Sequence, residues 1–350
     1  MAVNPTGRSI QTLYRQYRAG QLIVNRKYQR KLVWTTDEKK ELIRSIINDF
    51  PIPQFILARI GQKHLRSETS ISDDDVFEII DGVQRLNAIF GFIDGEFAVD
   101  GRIFDYNQLP RAKQAFDEKE IRPISTITDS MMDQNTCARI TDYQLAVTTF
   151  DAHNEQQVTA IFGCINTGGR QLSEQDRRQA GSVSRFSELV RRISASIRGD
   201  ETTTSIDLRF MPSISIDVPN ASSGYAIKAE DVFWCRQGVA RHQELRQSVD
   251  EQIVADLLAS TLLKEPIKNE KADIDSLYDA ESAISSKILS ALAQYRDEEI
   301  IERFVYIIGL VEQIVATHPS AKSFRSIVNR QGQSNPMRLT FHAFSVRYMI

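Results

Sequence analysis

Cysteine is scarce. Cys137, Cys164 and Cys235 form no CxxC pair and leave an odd thiol, so a disulfide framework is not expected. The five histidines are scattered, and none makes the HxH or HxxxH pair that would suit a zinc site. Long apolar runs are missing too: the stretch Phe304 to Val311 falls far short of the ~20 residues a membrane-spanning helix needs. The opening MAVNPTGRS lacks the apolar core of a secretion signal. A reducing, cytoplasmic setting with no membrane contact is expected. Neither a His-Asn-His-like constellation nor a D…ExK cluster of carboxylates is evident, which argues against a nuclease within this chain.

What is there suits two folded domains. The chain has 350 residues, 41% hydrophobic and 25% charged, an ordinary globular balance. Its net charge of −3 is unevenly spread. Residues 1–60 hold 11 Lys/Arg against 4 Asp/Glu, an excess of +7, and the remainder carries −10. A basic lobe on an acidic protein points to a local polyanion site, unless these charges only decorate solvated helix faces.

Periodicity places the elements. Ser9 caps a helix with the apolar face Ile10, Leu13, Tyr14 and Tyr17, closed by Gly20. Asn25 to Lys31 is a basic loop leading to Leu32-Val33-Trp34. Thr35 and Glu38 form a capping box for a helix with the stripe Leu42, Ile43, Ile46 and Ile47, stopped at Pro51-Ile-Pro53. Phe55–Ile60 and Val76–Ile80 read as strands of a long-looped hairpin, and Leu86, Ile89, Phe90 and Ile93 mark an amphipathic helix. A hairpin is expected around Asp100-Gly101 within residues 97–106, a strand over 143–150, and a helix capped by Asn154 that buries Val158, Ile161, Phe162 and Ile165. Ser173 caps the next helix. Residues 107–142 give no clear pattern. Beyond about residue 185 helical periodicity dominates, broken by an irregular Ser/Thr/Pro/Gly-rich connection over 200–224. The spacing predicts that Ile300 to Val315, apolar nearly all round, is the buried central helix of an all-α domain. The ending Phe341 to Ile350 is apolar without a stop signal, so it either docks into that helical core or continues into a further segment.

Three blocks can carry chemistry. In Ile79-Ile80-Asp81-Gly82-Val83-Gln84-Arg85 a strand runs into a turn and a helix, whose free N–H groups favour an anion. Arg85 could fork onto a phosphate and Asp81 could hold a hydrated Mg²⁺. The plainer alternative makes Asp81 an N-cap and Gln84 its capping-box partner. Tyr28-Gln29-Arg30, beside Arg26, Lys27 and Lys31, either grips phosphate or nucleic acid with Tyr28 stacked on a base, or anchors the loop while the cations face water. Asn166-Thr167-Gly168-Gly169-Arg170 lets backbone N–H groups approach an anion with Arg170 closing over it, or is a helix end followed by a tight turn.

In their order, with Trp34, the block from Leu42 to Ile47, Pro51-Ile52-Pro53 and Leu172-Ser173, these blocks resemble the GmrSD-type restriction system N-terminal domain family over roughly residues 8–185. Its hallmark is a DGQQR motif on a ParB/sulfiredoxin-like fold. The resemblance implies an α+β chain: a ParB/sulfiredoxin-like nucleotide-binding domain over residues 1–185 with a small mixed sheet, then a helical domain over 186–350. It implies an NTP bound with Mg²⁺ and hydrolysed, in a sensor or specificity component of a restriction or antiphage system acting on DNA. Asp81, Gln84 and Arg85 would be catalytic, with Asp81 at the metal. Tyr28, Gln29, Arg30, Gly82, Asn166, Gly168 and Arg170 would hold the nucleotide, all blocks converging on one pocket. The chain departs from the motif at Val83, where the family usually has Gln; if that Gln touches the nucleotide or orients water, Val83 would weaken hydrolysis more than binding. The alternative is a non-hydrolysing nucleotide- or DNA-binding regulatory subunit. In either case the nuclease would be a separate partner or a C-terminal module, and self-association is open. A sulfiredoxin-like redox role is not expected, because no cysteine lies in the three blocks, although Cys164 neighbours one.

Overall fold

The computed structural model describes residues 3–26, 29, 31–60, 75–105, 130–152, 158, 161–162, 173–180, 182, 184–200, 205–211, 213–215, 226–268 and 270–328. The chain forms two compact units, Met1–Phe162 with Thr203–Ala226, and Gly163–Thr202 with Ile227–Ile350.

The described part of the first unit is α+β and is built on a mixed six-stranded sheet. Strands β1 (Val3–Ser9), β2 (Leu22–Asn25), β3 (Phe55–Ile60), β4 (Val76–Asp81), β7 (Gln144–Asp151) and β8 (Ser205–Asp207) lie in the order β1-β7-β3-β4-β2-β8. Short strands β5 (Arg102–Ile103) and β6 (Ser130–Met131) pair apart from it. The expected pairing of β3 with β4 is present and antiparallel, while β2 runs parallel to β4 on its other side. The hairpin expected around Asp100-Gly101 is reduced to a single bridge between Val99 and Arg102, and Arg102–Ile103 pairs with Ser130–Met131 instead. Asp100 and Gly101 both turn at positive φ, 51° and 72°, as a tight two-residue turn requires.

Among the described residues four helices cover one face of the sheet: α1 (Ile10–Arg18), α2 (Thr36–Ile47), α3 (Val83–Ile93) and α4 (Gln134–Asp142). Their ends follow the sequence. Ser9 Oγ accepts from the Thr12 N–H, and Thr35 with Glu38 completes the capping box. Tyr17 of α1 stacks on Phe90 of α3 at 4.5 Å between ring centroids. The central strand β4 is buried on both sides, with Phe77 and Ile79 in the helix-covered core and Val76, Glu78 and Ile80 buried on the opposite face. That burial explains its near-continuous apolar sequence. Val158 and Phe162 are helical and buried as expected, Ile161 is helical but only half-buried, and Asn154 and Ile165 lie outside the described residues.

The described part of the second unit is almost wholly helical: α5 (Glu174–Ala180), α6 (Arg185–Arg198), α7 (Phe233–Arg236), α8 (His242–Arg246), α9 (Val249–Leu263), α10 (Lys271–Tyr278), α11 (Ala283–Leu292), α12 (Asp297–Thr317) and α13 (Phe324–Val328). Ser173 caps α5 by accepting from the Asp176 N–H at 3.1 Å. The expectation that Ile300 to Val315 forms the central helix needs correction. Only Ile300, Phe304, Ile307, Val311 and Val315 of α12 are buried, while Val305 and Tyr306 are 47% and 65% exposed. The centre is taken by α9, which buries Val254, Ala255, Leu257, Leu258 and Ala259 against α6 and α11. Among the described residues no helix is long and apolar enough to cross a membrane.

Candidate functional site

The strand–turn–helix from β4 to α3 carries the central motif. Gly82, not Asp81, is the N-cap of α3, at φ 107°, and as a glycine it brings no capping side chain of its own. The capping-box alternative for Asp81 and Gln84 therefore fails. Glycine is required at 82 on two counts: the φ lies where L side chains are strained, and a Cβ would stand 2.3 Å from Phe55 Cδ1. Behind this glycine, the first turn of α3 presents the helix's donor end.

Each side chain of Asp81-Gly82-Val83-Gln84-Arg85 has a definite place. Asp81 ends β4, its side chain 36% exposed, and its Oδ2 accepts from Arg85 at 2.8 Å. The Arg85 guanidinium also donates to the carbonyls of Pro53 and Gln54 and lies over the Phe55 ring, 4.6 Å from its centroid. Only 11% of its side chain is exposed, so much of its donor capacity serves the turn itself. Val83 is 5% exposed and belongs to the hydrophobic core. The departure from the family's Gln thus falls at an inward-facing position. Gln84 points to the basic loop: its Oε1 accepts from the Val33 and Trp34 N–H groups at 3.0 and 3.3 Å, and its Nε2 donates to the Lys31 carbonyl at 2.9 Å.

From the other direction, Gln29 Nε2 donates to the carbonyls of Ile79 and Ile80, the latter at 3.0 Å. The structure therefore brings the loop block and the β4–α3 block together. Tyr28, Arg30 and Lys27 lie outside the described residues, as do Asn166, Gly168 and Arg170 of the third block. Two loop cations differ from the reading that has them face water: Arg26 and Lys31 are only 6% and 7% exposed. Sequence reasoning passed over Glu78, 7% exposed in mid-β4 and in register with Ile23 and Ala58. An acidic residue within the run Val-Phe-Glu-Ile-Ile was the available signal.

As for a metal, no three His, Cys, Asp or Glu side chains gather into a cation site among the described residues. Asp81 is the carboxylate at the turn. A Mg²⁺ held by one carboxylate and by phosphate oxygens fits that donor set, because this ion keeps several waters and rarely takes an all-protein cage.

No curated protein matches the chain. A family model does, the one described as GmrSD restriction endonuclease, N-terminal domain, over residues 10–181. That span contains the β4–α3 turn and all three blocks. Residues 10–181 of this chain belong to the GmrSD restriction endonuclease N-terminal domain family, and the chain carries a restriction-system domain.

Proposed function

We propose that the chain is a nucleotide-binding, NTP-hydrolysing sensor of a restriction or antiphage system, built on a ParB/sulfiredoxin-like domain, with the β4–α3 turn as its phosphate site. The observation that carries this reading is the start of α3 behind a glycine N-cap, Gly82, next to a carboxylate that is about a third exposed. Backbone N–H groups at a helix start attract phosphate without a charged side chain. Asp81 would hold a Mg²⁺ that neutralises phosphate charge during transfer. Arg85 keeps Asp81 in place and stiffens the turn through Pro53, Gln54 and Phe55. Gln29 anchors the loop whose neighbours Tyr28 and Arg30 are assigned to base and phosphate.

DNA contact falls to the basic first 60 residues. Because Arg26 and Lys31 are buried, exposed cations such as Arg15 are the ones a duplex would reach. The nuclease is assigned to a separate partner or a further module, and the setting to the cytoplasm. The reading is tested by melting the chain with each of ATP, GTP, CTP and UTP, with and without Mg²⁺, and assaying phosphate release with the stabilising one. A ligand at about 100 times its Kd adds about 2.7 kcal/mol to stability, a clear rise in Tm. No shift with any of the four would overturn the reading.

A further inference from the structure

Gln84 stands in the motif where a nucleotide contact would be expected, yet its amide is occupied elsewhere. A primary amide offers two donors and an oxygen with two lone pairs. Here both lone pairs take the N–H groups of Val33 and Trp34, and one donor serves the Lys31 carbonyl. Three backbone groups of a four-residue stretch are thus held by one side chain from the first turn of α3. Gln29 makes the reciprocal connection, a loop side chain bound to the backbone of β4 at Ile79 and Ile80. The two amides cross the same gap in opposite directions, so sliding the loop along the turn breaks both sets of bonds together.

The partners are all backbone groups, a carbonyl that any residue at 31 would supply and N–H groups that any residue but proline would supply at 33 and 34. What the latch demands is an amide at 84 of glutamine length. We propose that Gln84 is a positioning residue: it does not hold the nucleotide but fixes the loop segment from Lys31 to Trp34, just after Gln29, and nucleotide affinity depends on it through that segment. This rests on the nucleotide-site reading, whereas the latch itself does not.

Two substitutions separate positioning from direct contact. Gln84→Met keeps the length and removes every hydrogen bond. Gln84→Glu keeps an oxygen for the Val33 and Trp34 N–H groups, loses the bond to Lys31 and brings a negative charge. Hydrogen exchange is measured over residues 31–36, and Mg²⁺ complexes of ATP, GTP, CTP and UTP are titrated in turn. Positioning predicts that Gln84→Met is worse than Gln84→Glu in both readouts. Exchange should speed up and affinity should fall about tenfold in the Met variant, the order expected for lost hydrogen bonds, and by less in the Glu variant. Direct contact predicts the reverse order, because a carboxylate against a triphosphate is the worst replacement, with loop exchange unchanged. That result overturns the proposal. Should Gln84→Met fail to fold, Gln84→Glu decides alone, since the two accounts place it at opposite extremes. If the wild-type chain binds no nucleotide, the functional reading falls and the affinity half of the proposal falls with it. Exchange over residues 31–36 then still decides the latch: unchanged in Gln84→Met, it overturns that half too.

Discussion

Position 83 shows how neighbouring residues of one motif divide their work. Gly82 lets the chain turn at φ 107° against the Phe55 ring, and Val83 then enters the core at 5% exposure while Gln84 reaches out to the loop. Restoring the family's residue by Val83→Gln would bury an amide among Leu and Ile side chains. We expect a loss of about 1–3 kcal/mol, read by urea denaturation, with no gain in nucleotide hydrolysis. Faster hydrolysis in Val83→Gln would show that residue 83 faces the nucleotide after all. The sequence could reveal that position 83 departs from the motif, but not which way its side chain points. A one-residue change in where a helix begins rotates every side chain after it by about 100°, and the cap at Gly82 rather than Asp81 is a fact of the backbone.

At the other end of the same helix, Asp94 follows the last turn of α3 and accepts from the Tyr14 hydroxyl at 2.5 Å. Burial pushes its carboxyl up to about 6, against the pull of Tyr14 and Arg18. The folded chain therefore holds a proton here that the unfolded chain has released, between the ordinary value of 3.8 and about 6. Stability falls as pH rises through that window, and the penalty is complete above it. Asp94→Asn removes the charge and leaves an oxygen for Tyr14. It should stabilise the chain by about 1–3 kcal/mol at pH 7.5 and hardly at all at pH 4, measured by denaturant titration at the two pH values. Equal shifts at both would contradict the buried charge. Elements with strong local signals were legible: Ser9 and Thr35 as caps, the stripe of α1, and β3 and β4 as paired strands. The short strands β2 and β8 and helix α4 were not, because their identity comes from sheet partners and core contacts far along the chain. The same limit explains α12. Its run of apolar residues says that it is greasy, but only packing decides that α9 is central and that Val305 and Tyr306 are exposed.

For the whole molecule, each unit has its own means of holding polar groups inside. In the second, Arg198 lies between Asp250, Glu251 at 3.6 Å and Asp200 at 3.8 Å, all 5% exposed or less. Burial opposes the guanidinium's charge, and the three carboxylates outweigh it, so the proton is held more firmly than usual. Arg198→Met would strand these carboxylates and should cost about 3–5 kcal/mol, seen as a lowered denaturation midpoint. A change within about 0.5 kcal/mol, the scale of ordinary surface substitutions, would mean that the cluster is relieved by other means. In the first unit the polar interior serves the loop and the turn, and there the central claim is most exposed to test. The direct measurement is calorimetric titration of the full chain with each of the four nucleoside triphosphates, with and without Mg²⁺, for wild type and Asp81→Asn. The account predicts one binding site for at least one triphosphate, strengthened by Mg²⁺ in the wild type and indifferent to it in Asp81→Asn. A folded wild-type chain that binds none of the four, or Mg²⁺ dependence that survives in Asp81→Asn, would contradict it.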